Sequence, residues 1–308
     1  MSDLSSIALG LWPIAGITTV GVTRQDARST LAAAIDAGIQ VFDTAYSYGY
    51  DGESDRLLGE FLGTRRDEFC VLGKVGQRWT DTGERYVDGS PQQLTADTEH
   101  SLQRMRTEAF DVLFLHSPDP DRPIEESAAA MLELKQRGLC QRIGISNATP
   151  DQLHRFHRVA TCDAIQCPLN LVQTHGSREL IASANSVDIK VYAFWTLMKG
   201  LLAGQIGRDH VFEQGDSRPN YPIFQGELRA TIHDMIDQMR SLGEQRSRTV
   251  AQLAVGWVLS QPEVKAALVG ARRPEQIREL AAATKLDAET LEELDRLAAR
   301  VRKLKVES

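Results

Sequence analysis

The amino-acid sequence predicts an α/β fold, a single parallel (β/α)8 barrel. Three observations carry that expectation. Eight short β-branched runs alternate with amphipathic helical stretches along the 308-residue chain, the pattern of a parallel sheet wrapped by helices. No Pro/Ser/Gly-rich linker divides the chain, so residues 1–308 read as one domain. The rival fold, an open doubly wound sheet, usually needs a glycine-rich turn for its ligand, and neither G-x-G-x-x-G nor G-x-x-x-x-G-K-[ST] occurs.

Taken in order, the expected strands are Ile7–Leu9, Val41–Asp43, Cys70–Lys74, Asp111–His116, Arg142–Ser146, Ala164–Cys167, Lys190–Phe194 and Val264–Val269. Between them, Thr23–Ala37 opens with a Thr-x-x-Asp cap and stops at Gly38. Ser54–Leu62 carries Leu57, Leu58, Phe61 and Leu62 on one helical face. Ser90–Met105 has Pro91 in its first turn, where the missing N–H costs nothing. Ile124–Arg137 ends at Gly138. Pro150–His157, Gly176–Ala184, Thr249–Ser260 and Pro274–Ala283 complete the alternation. Two extra helices stand outside it. Gly226–Leu242 places Leu228, Ile232, Met235, Ile236 and Met239 together, and Asp287–Lys303 does the same with Leu291, Leu294, Leu297 and Val301. The segment Leu201–Phe224 is long, polar and rich in Gly, Asp and Pro, the composition of a functional loop.

Charge narrows the partners. With 35 basic and 42 acidic side chains the net charge is −7, and no basic stripe of the kind that binds nucleic acid is visible. No polybasic block and no long apolar stretch point to a membrane. Met1–Gly10 lacks the marks of a secretory signal, so a cytoplasmic location is expected. Cys70, Cys140, Cys162 and Cys167 show no metal-ligand spacing and read as reduced structural thiols. His154 and His157 have no carboxylate or thiol partner, so no metal is assigned.

Barrel chemistry sits at the C-terminal ends of the strands. Here those ends carry Asp43, Lys74, His116, Ser146-Asn147, Gln166, Phe194-Trp195 and Gly270. A buried Asp beside a Lys keeps both charged, and such a pair can ready a neighbouring Tyr for proton transfer. Tyr46, Tyr48 and Tyr50 all follow the second strand, and spacing does not choose among them.

The run Phe42-Asp43-Thr44-Ala45-Tyr46-Ser47-Tyr48-Gly49 resembles the Asp-Thr-Ala-x-x-Tyr-Gly signature of the aldo-keto reductase family. The resemblance continues through Gly73-Lys74, Leu115-His116-Ser117-Pro118-Asp119, Gly144-Ile145-Ser146-Asn147 and Ile165-Gln166-Cys167-Pro168-Leu169-Asn170. It ends with Gly200-Leu201-Leu202-Ala203-Gly204 and Val269-Gly270-Ala271-Arg272-Arg273-Pro274-Glu275-Gln276. Seven matches in order, each at a strand end, cover nearly the whole chain. The resemblance implies a TIM barrel, a catalytic tetrad of Asp43, Tyr48, Lys74 and His116, and NADP(H) bound across the barrel mouth. It implies an NADP(H)-dependent oxidoreductase that moves a hydride between nicotinamide C4 and an aldehyde, ketone or aldose. In that scheme Tyr48 donates the proton, Lys74 lowers its pKa, Asp43 holds Lys74, and His116 orients the substrate oxygen.

For the cofactor, the resemblance assigns the nicotinamide carboxamide to Ser146, Asn147 and Gln166. Phe194 stands where the family commonly stacks Tyr or Trp, and Trp195 replaces a frequent Ser. Leu197 joins the cofactor-binding turn. Gly270 and the helix start at Pro274 would receive phosphate. Arg272 and Arg273 would take an adenosine 2′-phosphate, since a planar guanidinium suits phosphate. Gln276 and Glu279 fall where the family contacts phosphate and adenine. The family's N-terminal hairpin looks shortened or absent, leaving the barrel floor to another segment, for which the C-terminal helix is a candidate.

Trp12, Tyr50 and Trp79 are expected at the substrate mouth, an aromatic rim that suits apolar carbonyls and sugars alike. Two other functions compete. One is an NADP(H)-sensing regulatory subunit resembling the potassium-channel β subunits. The other is a lyase or isomerase using Lys74 as a Schiff base, which the neighbouring Asp43 opposes.

Overall fold

The computed structural model describes residues 4–16 and 20–304. Chain order begins with β1 (Ile7–Gly10), α1 (Arg24–Asp36), β2 (Val41–Asp43), α2 (Glu53–Leu62) and β3 (Cys70–Val75). A small hairpin, β4 (Gln77–Trp79) and β5 (Arg85–Val87), follows, then α3 (Pro91–Met105), β6 (Phe110–Leu115) and α4 (Ile124–Gln136). Next come β7 (Cys140–Ser146), α5 (Pro150–Val159), β8 (Ala164–Pro168), α6 (Ser177–Asn185) and β9 (Lys190–Phe194). The chain continues with α7 (Gly226–Arg246), α8 (Val250–Leu259), β10 (Val264–Val269), α9 (Pro274–Ala281) and α10 (Ala288–Lys303).

Eight of the strands close into a parallel barrel in the order β1-β10-β9-β8-β7-β6-β3-β2. Each matches one of the eight expected runs within about two residues, the usual uncertainty of an element boundary. Parallel pairing buries both faces of every strand, which is why the runs are apolar almost throughout. Alternate side chains then divide between two cores. Val41, Leu72, Val112, Phe114, Tyr192 and Leu268 fill the barrel interior. Leu9, Phe42, Val71, Leu113 and Ile143 face the helices. Each fully buried Leu or Phe contributes about 1.5–3 kcal/mol by leaving water.

The helices begin where their sequences say they should. Thr23, Thr149 and Thr249 each accept from a backbone N–H three residues on, while Asp26, Gln152 and Gln252 reach back to complete a capping box. Ser90 caps α3 ahead of Pro91, and Asp287 caps α10.

The structure departs from the sequence reading at four places. The β4–β5 hairpin was not anticipated; it lies in what read as a plain connection after Lys74. The first extra helix continues beyond Leu242 to Arg246. Gly243 resembles a stop signal, but a Cβ there would lie 2.4 Å from the Arg248 carbonyl oxygen, so this glycine serves a close approach inside the helix. The Leu201–Phe224 segment is irregular yet anchored: it contains short 3-10 turns and buries Leu201, Leu202, Ile206, Ile223 and Phe224. Finally, the C-terminal helix does not close the floor. It packs on α7, and Arg302 near its end donates to the Leu171 carbonyl, beyond the C-terminal end of β8. Among the described residues no hairpin precedes β1, and Leu4 packs against the interior cluster from the strands' N-terminal side. No helix among the described residues is long and apolar enough to cross a membrane.

Candidate active site

The pleat that fills the barrel also builds its upper rim. Side chains two apart on a strand share a face. Val41 is therefore followed inward by Asp43, Leu72 by Lys74, Phe114 by His116, Gly144 by Ser146 and Ala164 by Gln166. The last apolar layer ends, and one step higher the interior turns polar.

Asp43, Lys74, Ser146 and Gln166 are each 2 % exposed, and His116 is 7 % exposed. Lys74 Nζ donates to Asp43 Oδ1 at 2.5 Å, and Gln166 Nε2 donates to the same oxygen at 2.7 Å. Burial pulls the Lys74 ammonium below its ordinary value, and Asp43 pulls it back. Removing one partner would strand a buried charge, a cost of about 3–5 kcal/mol. This carboxylate contact also argues against a free amine nucleophile at Lys74.

Geometry separates the three tyrosines. The Tyr48 ring centroid lies 4.7 Å from Lys74 Nζ and 5.9 Å from the His116 ring. Tyr46 turns outward: its hydroxyl accepts from Arg78 at 2.7 Å and its ring lies between the Arg78 and Arg104 guanidinium groups. It borders a separate cavity of about 570 Å³ outside the barrel, lined also by Arg56, His100 and Arg104. Tyr50 is 60 % exposed and edges onto Trp79.

The electrostatics differ from expectation at Tyr48. Removal from water pushes its phenol well above the ordinary value, Asp43 adds to the rise, and Arg85 opposes it. Lys74 itself is held by Asp43 at contact distance. Burial, with Lys74 and Arg85, holds His116 well below the ordinary histidine value, so the imidazole is neutral. Its backbone oxygen accepts from Asn147 Nδ2 at 3.0 Å.

Behind this cluster the sequence reading missed a second buried carboxylate. Asp55 accepts from Thr44 Oγ1 at 2.7 Å, directly after Asp43, and burial raises it to about 6. Also missed were Arg85, which lies over the Trp12 and Trp79 rings, and Lys199, which lies over Trp195 and Tyr221. A weak hairpin signal was present for the first: the β-prone Trp79, Tyr86 and Val87 flank the turn triplet Asp81-Thr82-Gly83.

The expected substrate residues meet on one rim. Trp12 edges onto Tyr48 at 5.1 Å and stacks with Trp79 at 6.3 Å and 10°. Trp79 Nε1 donates to the Ser47 carbonyl at 2.9 Å, which fixes the indole.

The residues expected to hold a dinucleotide are spread around the same mouth, with some already engaged. Phe194 packs on the interior cluster from above, and Leu197 is buried. Trp195 is half-buried, has a left-handed backbone (φ 59°), and edges onto Tyr221 at 5.9 Å. A Cβ on Gly270 would lie 2.6 Å from Pro13, so packing alone demands glycine there. Arg273 is committed to Asp26 at 3.1 Å and to the Gly21 carbonyl. The Gln276 side chain accepts from the Arg272 N–H, and the Glu279 carbonyl accepts from Gln252. The Arg272 guanidinium, by contrast, has no ion pair or side-chain hydrogen bond among the described residues. The N-terminus of α9 has no side-chain cap, as is also the case for α2, α4, α6 and α7. An open helix start beside an unpaired guanidinium fits an anionic cofactor.

No group of three or more His, Cys, Asp or Glu able to hold a metal exists among the described residues. The family model described as Aldo/keto reductase family matches residues 6–299. The chain is 30 % identical to an NADH-specific methylglyoxal reductase of Escherichia coli, over 92 % of this chain and 91 % of that one. Among solved structures it is similar to a glycerol dehydrogenase of Gluconobacter oxydans, with a TM-score of 0.88 and 33 % identity, covering 96 % of this chain and 92 % of that one. It is also similar to an aldo-keto reductase of Klebsiella pneumoniae solved with NADPH, with a TM-score of 0.73 and 26 % identity, covering 96 % and 91 %.

Proposed function

The chain belongs to the aldo/keto reductase family, an oxidoreductase family, and on that premise we propose an NADP(H)-dependent enzyme that interconverts small carbonyl compounds and alcohols. The observation that carries the reading is the Tyr48 ring set between the buried Lys74–Asp43 pair and His116 at the barrel mouth.

When bound, the nicotinamide supplies a hydride to the carbonyl carbon, or takes one up in the reverse direction. Tyr48 acts on the carbonyl oxygen. Its raised pKa keeps it protonated in the resting site, so it is poised as the acid for reduction. As negative charge develops on that oxygen, the O–H proton passes to it and a phenolate remains. Lys74, fixed by Asp43, lies beside the ring and stabilises that phenolate until water reprotonates it. Neutral His116 offers an N–H to the same oxygen and orients it. Gln166 has spent one N–H on Asp43, and its carboxamide oxygen would meet the cofactor amide, with Ser146 and Asn147 beside it. Phe194 would stack on the ring, with Trp195 and Leu197 flanking it. Gly270 and the open start of α9 would receive phosphate, with Gln276 shaping that turn and Glu279 near the adenosine. Arg272 would suit the 2′-phosphate of NADP(H), the form held by the Klebsiella pneumoniae relative, whereas the Escherichia coli relative is NADH-specific. A cytoplasmic setting completes the reading, in keeping with four free, buried cysteines.

The test is NADPH consumption with a small aldehyde such as pyridine-3-carboxaldehyde, followed by absorbance. Tyr48→Phe is expected to lower kcat by about 100-fold or more, while NADPH still binds. A variant with wild-type turnover would remove Tyr48 from the mechanism.

A further inference from the structure

Arg85 sits on the β4–β5 hairpin directly across from Trp79 in the pairing register. Its guanidinium carbon lies 4.8 Å from the Trp79 ring and 4.8 Å from the Trp12 ring. Trp12 in turn touches the Tyr48 ring at 5.1 Å. Two indole faces therefore hold a cation at the mouth, one aromatic contact away from the reacting hydroxyl. Its charge acts on both Tyr48 and His116.

Like Arg272 and Lys199, and unlike the other cations near the mouth, this one lacks a counter-charge among the described residues. Arg78 has Tyr46 and Asp97, Arg218 has Asp216, and Lys74 has Asp43. Among the described residues Arg85 makes no ion pair, and the ionisable groups that act on it are the phenols of Tyr48 and Tyr221, not a carboxylate. The residue remains exposed, so its N–H edge is open to an incoming molecule. An exposed guanidinium lying over two indole rings, with no hydrogen bond or ion pair among the described residues, is suited to a planar or tetrahedral oxyanion.

We propose that Arg85 makes this site selective for carbonyl substrates that carry an anionic group, a carboxylate or a phosphate, on the end remote from the carbonyl. The inference rests on the reductase reading above and adds the substrate class. A neutral aldehyde leaves the guanidinium unpaired, whereas an anionic one gains charge-assisted hydrogen bonds in a mouth lined by low-dielectric rings.

Matched substrate pairs test it with the whole protein and NADPH. 4-Carboxybenzaldehyde is compared with 4-formylbenzamide, and glyceraldehyde 3-phosphate with glyceraldehyde. For at least one pair the anionic member is expected to show about tenfold or higher kcat/KM, carried mainly by KM and weakened by added salt. The pair that responds identifies the anion. Arg85→Gln should bring that ratio close to one, and Arg85→Lys should keep part of it. Turnover of both members at equal kcat/KM in both pairs, or a preference that survives Arg85→Gln, overturns the inference while leaving the reductase reading intact. No NADPH consumption with any of the four overturns the reductase reading and this inference with it.

Discussion

Arg272 and Arg273 are adjacent in sequence but differently employed. Arg273 ties the start of α9 to Asp26 and to the Gly21 carbonyl, so its charge is largely spent. Arg272 is half-buried, feels Asp216 and Glu213 as well as the like charges of Arg218 and Arg273, and makes no ion pair or side-chain hydrogen bond among the described residues. Arg272→Ala should therefore weaken NADPH binding by about tenfold or more, the worth of one charge-assisted contact, and leave NADH nearly unaffected. Arg273→Ala should shift both dinucleotides together, by loosening the turn. Fluorescence titration with each cofactor checks this, and equal losses for Arg272→Ala would end its assignment to the 2′-phosphate. The residue types of the site could be read from the sequence, because strand ends in a barrel face one mouth. Their orientations could not. Nothing in the spacing says that the Gln166 amide turns to Asp43, or that Tyr46 turns outward to two arginines.

At the level of elements, strands were legible because parallel pairing demands apolar runs, and helices because their caps are spelled out at Thr23, Ser90, Thr149 and Thr249. The β4–β5 hairpin escaped because each strand has three residues and one exposed face, too short for a periodicity to register. A glycine needed for close approach, such as Gly243 against the Arg248 carbonyl, looks the same in sequence as one that stops a helix. Gly144 is of the close-approach kind. A Cβ there would lie 2.4 Å from the Ala164 carbonyl oxygen on β8 and 2.6 Å from the Phe114 ring on β6. A backbone oxygen in a closed sheet has little room to yield. Gly144→Ala is accordingly expected to cost about 1–3 kcal/mol, the range for overpacking a core, read as a lowered urea midpoint. Because Gly144 sits one step below Ser146 on the same face, reduced activity in folded protein should accompany the loss. Wild-type stability would mean that β7 and β8 can separate without penalty.

For the molecule as a whole, the clearest pH dependence comes from Asp55. Burial raises its carboxyl from 3.8 to about 6, so the native state holds that proton more tightly than the unfolded chain. The associated stability is fully present below about pH 4 and is lost as pH rises through about 6. Asp55→Asn removes this titration. The unfolding free energy of the variant, taken relative to wild type, should therefore rise by about 2 kcal/mol between pH 4 and pH 8. Urea unfolding at several pH values measures it, and a flat difference would mean that Asp55 stays ionised throughout. A last consequence follows from the seam of the barrel. β1 is bonded on one side to β2 and on the other to β10, with Ala8 opposite both Val41 and Leu268. The first strand of the barrel thus waits for its last strand before its second neighbour exists. Until residues 264–269 arrive, β1 and β9 each present a bare edge, and the polar rim that gathers Asp43, Lys74 and Gln166 has no fixed circumference. Long-range closure of this kind is slow and leaves strands open to wrong partners. Synthesis order alone therefore keeps the site unassembled until the final strand is in place.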